Sequence, residues 1–91
     1  IPLGTAKMCY FVYLLISKDK NKTISYVGYT NNLSKRLLLH NNNKGAKFTR
    51  GRKWRIIYKK KYPTKSIAMK QEHILKKNYY LRKKIKQGNK F

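Results

Sequence analysis

The sequence predicts a small α/β domain, a three-stranded antiparallel sheet flanked by helices in the order β-β-α-β-α-α. Three observations predict it. Cys9 to Ile16 is an unbroken β-rich apolar run, suited to a strand covered on both faces. A short polar stretch, Ser17 to Lys22, separates it from a second β-rich segment, and so short a connection favours an antiparallel hairpin. From Leu33 onward the apolar spacing changes to that of a helix.

The elements follow in order. Ile1 to Lys7 join no later pattern and precede a candidate start at Met8, so residues 1–8 are expected to be an N-terminal tail or remnant. The first strand is Cys9 to Ile16, and Ser17 to Lys22 reads as a turn in which Asp19 is solvated. The second strand is Ile24 to Tyr29. Thr30, Asn31 and Asn32 are candidate N-caps for a helix in which Leu33, Leu37 and His40 form a stripe, broadened by Leu38 and Leu39. That helix ends near Asn41–Asn43 and Gly45. Lys44 to Lys53 is a basic, glycine-containing loop. Trp54 to Tyr62 is the third strand, with Trp54, Ile56 and Tyr58 expected on one face and Pro63 as its stop. Thr64 or Ser66 caps a second helix striped by Ile67, Ala68, Gln71, Ile74 and Leu75. Asn78 interrupts, and Tyr79 to Ile85 is a short third helix. One domain over 9–85 is expected, followed by a basic tail over 86–91 that frays.

Composition narrows the function. Twenty-four Lys and Arg against 2 Asp and Glu leave a net charge of +22, which seeks a polyanion. Aromatics at 13% and hydrophobics at 41% are too many for a disordered basic tail. Cys9 is the single cysteine, so a disulfide framework and a cysteine-ligated zinc site are both excluded. The longest apolar run, Phe11 to Ile16, falls far short of the roughly 20 residues that span a bilayer. No secretory pattern is visible, and an intracellular setting is expected, with nucleic acid rather than membrane as the partner.

The chemistry is bounded by the scarcity of acids. Asp19 and Glu72 are the only carboxylates, too few for a two-metal centre. A nuclease built from this chain would use one hard cation, held by one carboxylate, waters and the substrate's phosphates. Glu72, mid-helix, either fills that role or pairs with Lys76 four residues on. Arg36 and His40 share a helix face. The arginine can grip a phosphate and the histidine can orient a water or assist proton transfer, or they are an ordinary phosphate contact and a packed ring. Tyr13 and Tyr26 sit on neighbouring strands, where their hydroxyls can converge or simply pack. Gly28 marks a close backbone approach. Lys35, Lys44, Lys47, Arg50, Arg52 and Lys53 are expected to hold nucleic-acid phosphates, which position a backbone without reading bases.

These residues, in this order, resemble a family. Val12-Tyr13-Leu14, then Tyr26-Val27-Gly28, then a helix with Arg36 and His40, then the helical Glu72, are similar to the GIY-YIG nuclease superfamily. The likeness is closest to its small stand-alone YhbQ-like members and to the nuclease domain of Slx-type structure-specific endonucleases. Tyr26 to Asn41 is the most telling segment, continued by Lys44 to Arg52 and a Trp-led strand, and the likeness covers about residues 9 to 80. Phe11-Val12-Tyr13 stands where the family has Gly-Ile-Tyr, and Tyr29 stands where some relatives carry a lysine.

The resemblance implies metal-dependent hydrolysis of nucleic-acid phosphodiesters. Tyr13 and Tyr26 match the motif tyrosines, Gly28 the motif glycine and Arg36 the arginine that binds the scissile phosphate. His40 matches a histidine of a subset, and Glu72 matches the metal-holding glutamate. The expected enzyme is a DNA endonuclease using a single Mg²⁺ or Mn²⁺ ion, with branched or flap DNA in repair or recombination as the family-level substrate. The cysteine-rich zinc domain of the Slx-type enzymes is not expected. The alternative is a basic nucleic-acid-binding protein, for DNA or RNA, without catalysis.

Overall fold

The computed structural model describes residues 9–19, 22–45 and 47–88. The expectations for residues 1–8, for the Asp19 side chain and for the last three residues of the tail lie outside the described residues. Strand β1 (Tyr10–Asp19) is followed by β2 (Lys22–Thr30), α1 (Leu33–Asn41), a 3₁₀ turn (Lys47–Thr49), β3 (Arg55–Tyr62), α2 (Lys65–Lys77) and α3 (Tyr79–Gln87). The sheet is antiparallel in the order β2-β1-β3, which places the most apolar strand at its centre. The strands run further toward the hairpin tip than the polar residues suggested, with Asp19 paired opposite Lys22.

Side-chain alternation along β1 supplies a core on each face of the sheet. Val12 and Leu14 pack with Val27, Ala68 and Leu75, beneath α2 and α3. Tyr13 and Leu15 pack with Trp54, Leu33 and Leu37, beneath α1. The helices begin at capping side chains. Asn32 accepts from the Lys35 amide at 3.1 Å, Thr64 from Ile67 at 3.2 Å, and Asn78 from Leu81 at 3.0 Å.

Several expectations are corrected. A bulge lies in the β1–β3 pairing, where Leu14 faces Tyr58 and Leu15 faces Ile56. The extra residue reverses the alternation, so Ile56 joins Trp54 on the α1 face while Ile57 and Tyr58 join the α2 face. Trp54 precedes the strand rather than opening it. Leu38 is exposed, because the buried stripe of α1 is the narrower set that includes His40. Ile67 and Ile74 are also exposed, and α2 buries Ala68 and Leu75 instead. That stripe runs 68, 72, 75, so Glu72 lies on the packed side of its helix.

Candidate active site

At the N-terminal end of β1 and the C-terminal end of β2 lies an open cleft of about 430 Å³. Its chemistry-bearing wall comprises Tyr13, Tyr26, Gly28, Arg36, Lys65 and Glu72. Each is delivered by a different local rule. Tyr13 and Tyr26 point to the α1 face because Tyr13 pairs with Gly28 and Leu15 pairs with Tyr26, two positions along. Gly28 leaves room for the ring directly opposite it, since a Cβ there would overlap the Tyr13 hydroxyl. Arg36 sits one turn into α1, whose start is set by the Asn32 cap. Lys65 opens α2, and Glu72 follows two turns later on the same side.

The electrostatics tie these groups together. The oxygens of Tyr13 and Tyr26 face the Arg36 guanidinium, and the hydrogen bond with Tyr13 is the main reason its pKa lies above the usual arginine value. Burial pushes the Tyr13 phenol above 10, against the lowering pull of Arg36. The neutral phenol is therefore its form at pH 7. Glu72 is 18% exposed and pairs with Lys76 at 3.7 Å, but that lysine is 57% exposed. A pair so long and so wet is weak and does not commit the carboxylate. Among the described residues no three His, Cys, Asp or Glu side chains gather as a metal cluster.

His40 occupies a different place from the one its helix face suggested. It is 0% exposed and does not line the cleft; it lies behind Tyr13. Its Nε2 is 3.0 Å from the Tyr13 hydroxyl and its Nδ1 is 2.9 Å from Thr49 Oγ1. Burial, with help from Arg36, holds its pKa below 6.5, so the ring is neutral at pH 7. With no exposed surface, its ring meets the cleft only by way of the Tyr13 hydroxyl that it hydrogen-bonds. A Cβ at Gly45 would overlap His40 Nδ1, so the tyrosine–histidine pair is clamped between two glycines. The 3₁₀ turn that carries Thr49 is held in turn by Trp54, whose indole N–H donates to the Thr49 carbonyl at 2.9 Å. The Asn41 side chain brackets the Trp54 backbone, accepting from its N–H at 2.6 Å and donating to its carbonyl at 3.1 Å.

None of Lys35, Lys44, Lys47, Arg50, Arg52 and Lys53 lines the cleft. Arg50, Arg52 and Lys53 instead surround a depression with Ser17 and Lys18, roughly 13 Å along β1 from Tyr13 at the usual rise per residue. Sequence reasoning missed Lys65, Thr49 and Gly45. The first had a signal, its seven-residue spacing from Glu72 after a capping threonine. The other two had none, because they meet His40 only through the fold of the loop.

A family model described as the GIY-YIG catalytic domain matches residues 9–86. The chain belongs to the GIY-YIG family. Relatives include a UPF0213 protein of Oceanobacillus iheyensis, 46% identical over 68 residues and covering 74% of this chain and 76% of that one. A UPF0213 protein of Bacillus licheniformis is 37% identical over 86 residues, covering 87% and 86%. The solution NMR structure of a UPF0213 protein from Bacillus halodurans, 36% identical, covers 85% of this chain and 80% of that one with a TM-score of 0.49. A GIY-YIG domain implies a nuclease with DNA as its substrate class, and GIY-YIG nucleases generally use divalent metal ions. No helix among the described residues of this GIY-YIG chain is long and apolar enough to cross a membrane.

Proposed function

We propose that the protein is a single-metal endonuclease that hydrolyses DNA phosphodiester bonds in the β1–β2–α1–α2 cleft. The observation that carries this is the convergence of two strand phenols, one guanidinium and the lone helical carboxylate on one open cavity. The donor set fits a hard divalent ion, Mg²⁺ or Mn²⁺, bound by one carboxylate oxygen with waters and the substrate's phosphate completing the shell. Glu72 would hold it. When bound, the ion would supply positive charge that stabilises the negative charge of the departing oxygen.

The remaining steps belong to the chain itself. Arg36 binds the scissile phosphate and neutralises charge developing on its oxygens. Among the described residues its Nε is buried without a hydrogen-bond partner, a cost that an anion in the cleft offsets. Water attacks phosphorus in line, forming the new P–O bond as the bond to O3′ breaks. The water's proton passes to the Tyr13 oxygen as the Tyr13 hydroxyl proton moves to His40 Nε2. This direction requires the tautomer in which His40 Nδ1–H donates to Thr49 Oγ1. Tyr26, whose oxygen faces the same Arg36 guanidinium, positions the water. Lys65 adds a cation for a flanking phosphate. Branched or flap DNA, in repair or recombination, is the substrate this reading takes from the family.

The test is paired. Duplex and branched DNA are incubated with Mg²⁺ or Mn²⁺ and the native protein or Glu72→Gln, with binding measured separately. The proposal expects native cleavage that Glu72→Gln abolishes while affinity survives. Binding without cleavage by either, or equal cleavage by both, overturns it in favour of a non-catalytic binder.

A further inference from the structure

The cleft leaves unexplained a second surface on the outward side of α2 and the start of α3. There His73, Ile74, Lys77, Asn78, Tyr79 and Tyr80 line a shallow groove of about 450 Å³. Tyr80 is 81% exposed, Tyr79 53% and Ile74 48%. The two rings meet edge to face with centroids 5.6 Å apart, which leaves their outer faces open to solvent side by side. Lys77 lines the groove with them, and Lys83 and Lys84, three and four residues after Tyr80 on α3, are exposed.

We propose that this groove is a stacking platform for the unpaired bases of single-stranded DNA. Aromatic rings left in water beside lysines match both halves of a single strand, the π-faces of its bases and its phosphates. A fully paired duplex offers the lysines a partner but hides its base faces from the rings. A second copy of this chain is disfavoured on charge, because each copy carries +22. The groove and the cleft flank one helix, since His73 and Glu72 are consecutive on α2. One helix width is about 10 Å, and Tyr79 lies about 10 Å further along the chain than Glu72, so the span is about 15 Å, roughly four to five stacked nucleotide steps. An unpaired arm leaving the cleft therefore reaches Tyr79 and Tyr80. The inference deepens the nuclease reading: it supplies a physical reason for preferring a substrate with a single-stranded arm, and it rests on that reading for the identity of the strand.

The experiment measures binding in EDTA, where cleavage does not enter, so its failure is separable from failure of the nuclease reading. Fluorescence anisotropy compares a mixed-sequence single-stranded 20-mer, a duplex with a single-stranded flap and the same duplex without it. Tyr80→Ala is expected to weaken the first two by about 5- to 30-fold and the plain duplex by less than about twofold. Tyr80→Trp is expected to restore or exceed native affinity. The slope of log affinity against log salt should not change in Tyr80→Ala and should fall by about 0.7 in Lys77→Gln, because only the lysine releases a counterion. Equal weakening on all three ligands, or no weakening on any, overturns the proposal. So does a native dimer in sedimentation that Tyr80→Ala dissociates, which would assign the surface to a second copy. Circular dichroism checks that the variants fold.

Discussion

Replacing Gly28 with alanine tests the clamp around Tyr13 more sharply than replacing Tyr13 itself. The new Cβ would stand 2.7 Å from the Tyr13 ring carbon that bears the hydroxyl, and closer still to the hydroxyl. Ordinary contact begins near 3.4 Å and the larger overlap is at the hydroxyl, so the phenol must retreat by roughly 1 Å or the strands must part. Retreat is blocked: His40 Nε2 lies 3.0 Å behind the hydroxyl, and Gly45 sits against the far side of the imidazole. Overpacking of this kind costs about 1–3 kcal/mol. For a domain of this size a cost of about 2 kcal/mol lowers Tm by roughly 8–16 °C. Displacing the phenol by about an ångström should also lower kcat about 100-fold. The assays are thermal unfolding by circular dichroism and cleavage of a labelled DNA at a temperature where both proteins are folded. Gly51→Ala is the control. Gly51 has φ +78° with nothing within 4 Å of a Cβ, so alanine there strains only the backbone. It should cost about 1–2 kcal/mol and leave kcat unchanged. Unchanged Tm and kcat in Gly28→Ala would refute the clamp.

Three further outcomes are expected. Thr49→Val keeps volume but leaves His40 Nδ1 without its partner, so kcat should fall about 10- to 100-fold with DNA affinity unchanged, matching about 1–3 kcal/mol for an unsatisfied buried group. Because burial lowers the folded-state pKa of His40, the unfolded chain binds more protons between that value and 6.5; stability should be complete above pH 6.5 and decline as pH falls below it, and His40→Gln should flatten that decline in Tm measured across pH. Arg36→Lys keeps the charge but loses the planar fork facing both phenols, and cleavage should fall roughly 100-fold in single-turnover assays while binding changes less than about threefold.

The parts of the molecule written in local chemistry were legible in the sequence. The apolar run of β1, the change of period at Leu33 and the caps Asn32, Thr64 and Asn78 each act within a few residues, and they give the element order. What was not legible depends on packing between distant segments. α2 offers two apolar spacings, Ile67 with Ile74 and Ala68 with Leu75, and periodicity alone does not say which one faces the sheet. The smaller set wins, and with it Glu72 turns inward. The bulge opposite Leu14 and Leu15 depends on the pairing of β3 with β1, so the faces of Ile56 to Tyr58 could not be read from alternation. Of the site, Tyr13, Tyr26, Gly28, Arg36 and Glu72 were singled out by type and order and share the cleft. His40 was singled out as well, but its concealment behind Tyr13 follows from Gly45 and Thr49 in a loop that reads as a mere run of basic residues.

The proposed nuclease requires Glu72 to anchor a divalent ion beside the two phenols and the Arg36 guanidinium. Paramagnetic broadening by Mn²⁺ in amide NMR spectra tests it most directly. Substoichiometric Mn²⁺ should selectively broaden resonances of Tyr13, Gly28, Thr30, Lys65 and Glu72, leave those of Ser17 and Lys53 sharp, and lose its selectivity in Glu72→Gln. Selective broadening that persists in Glu72→Gln, or that centres on another part of the molecule, would contradict it.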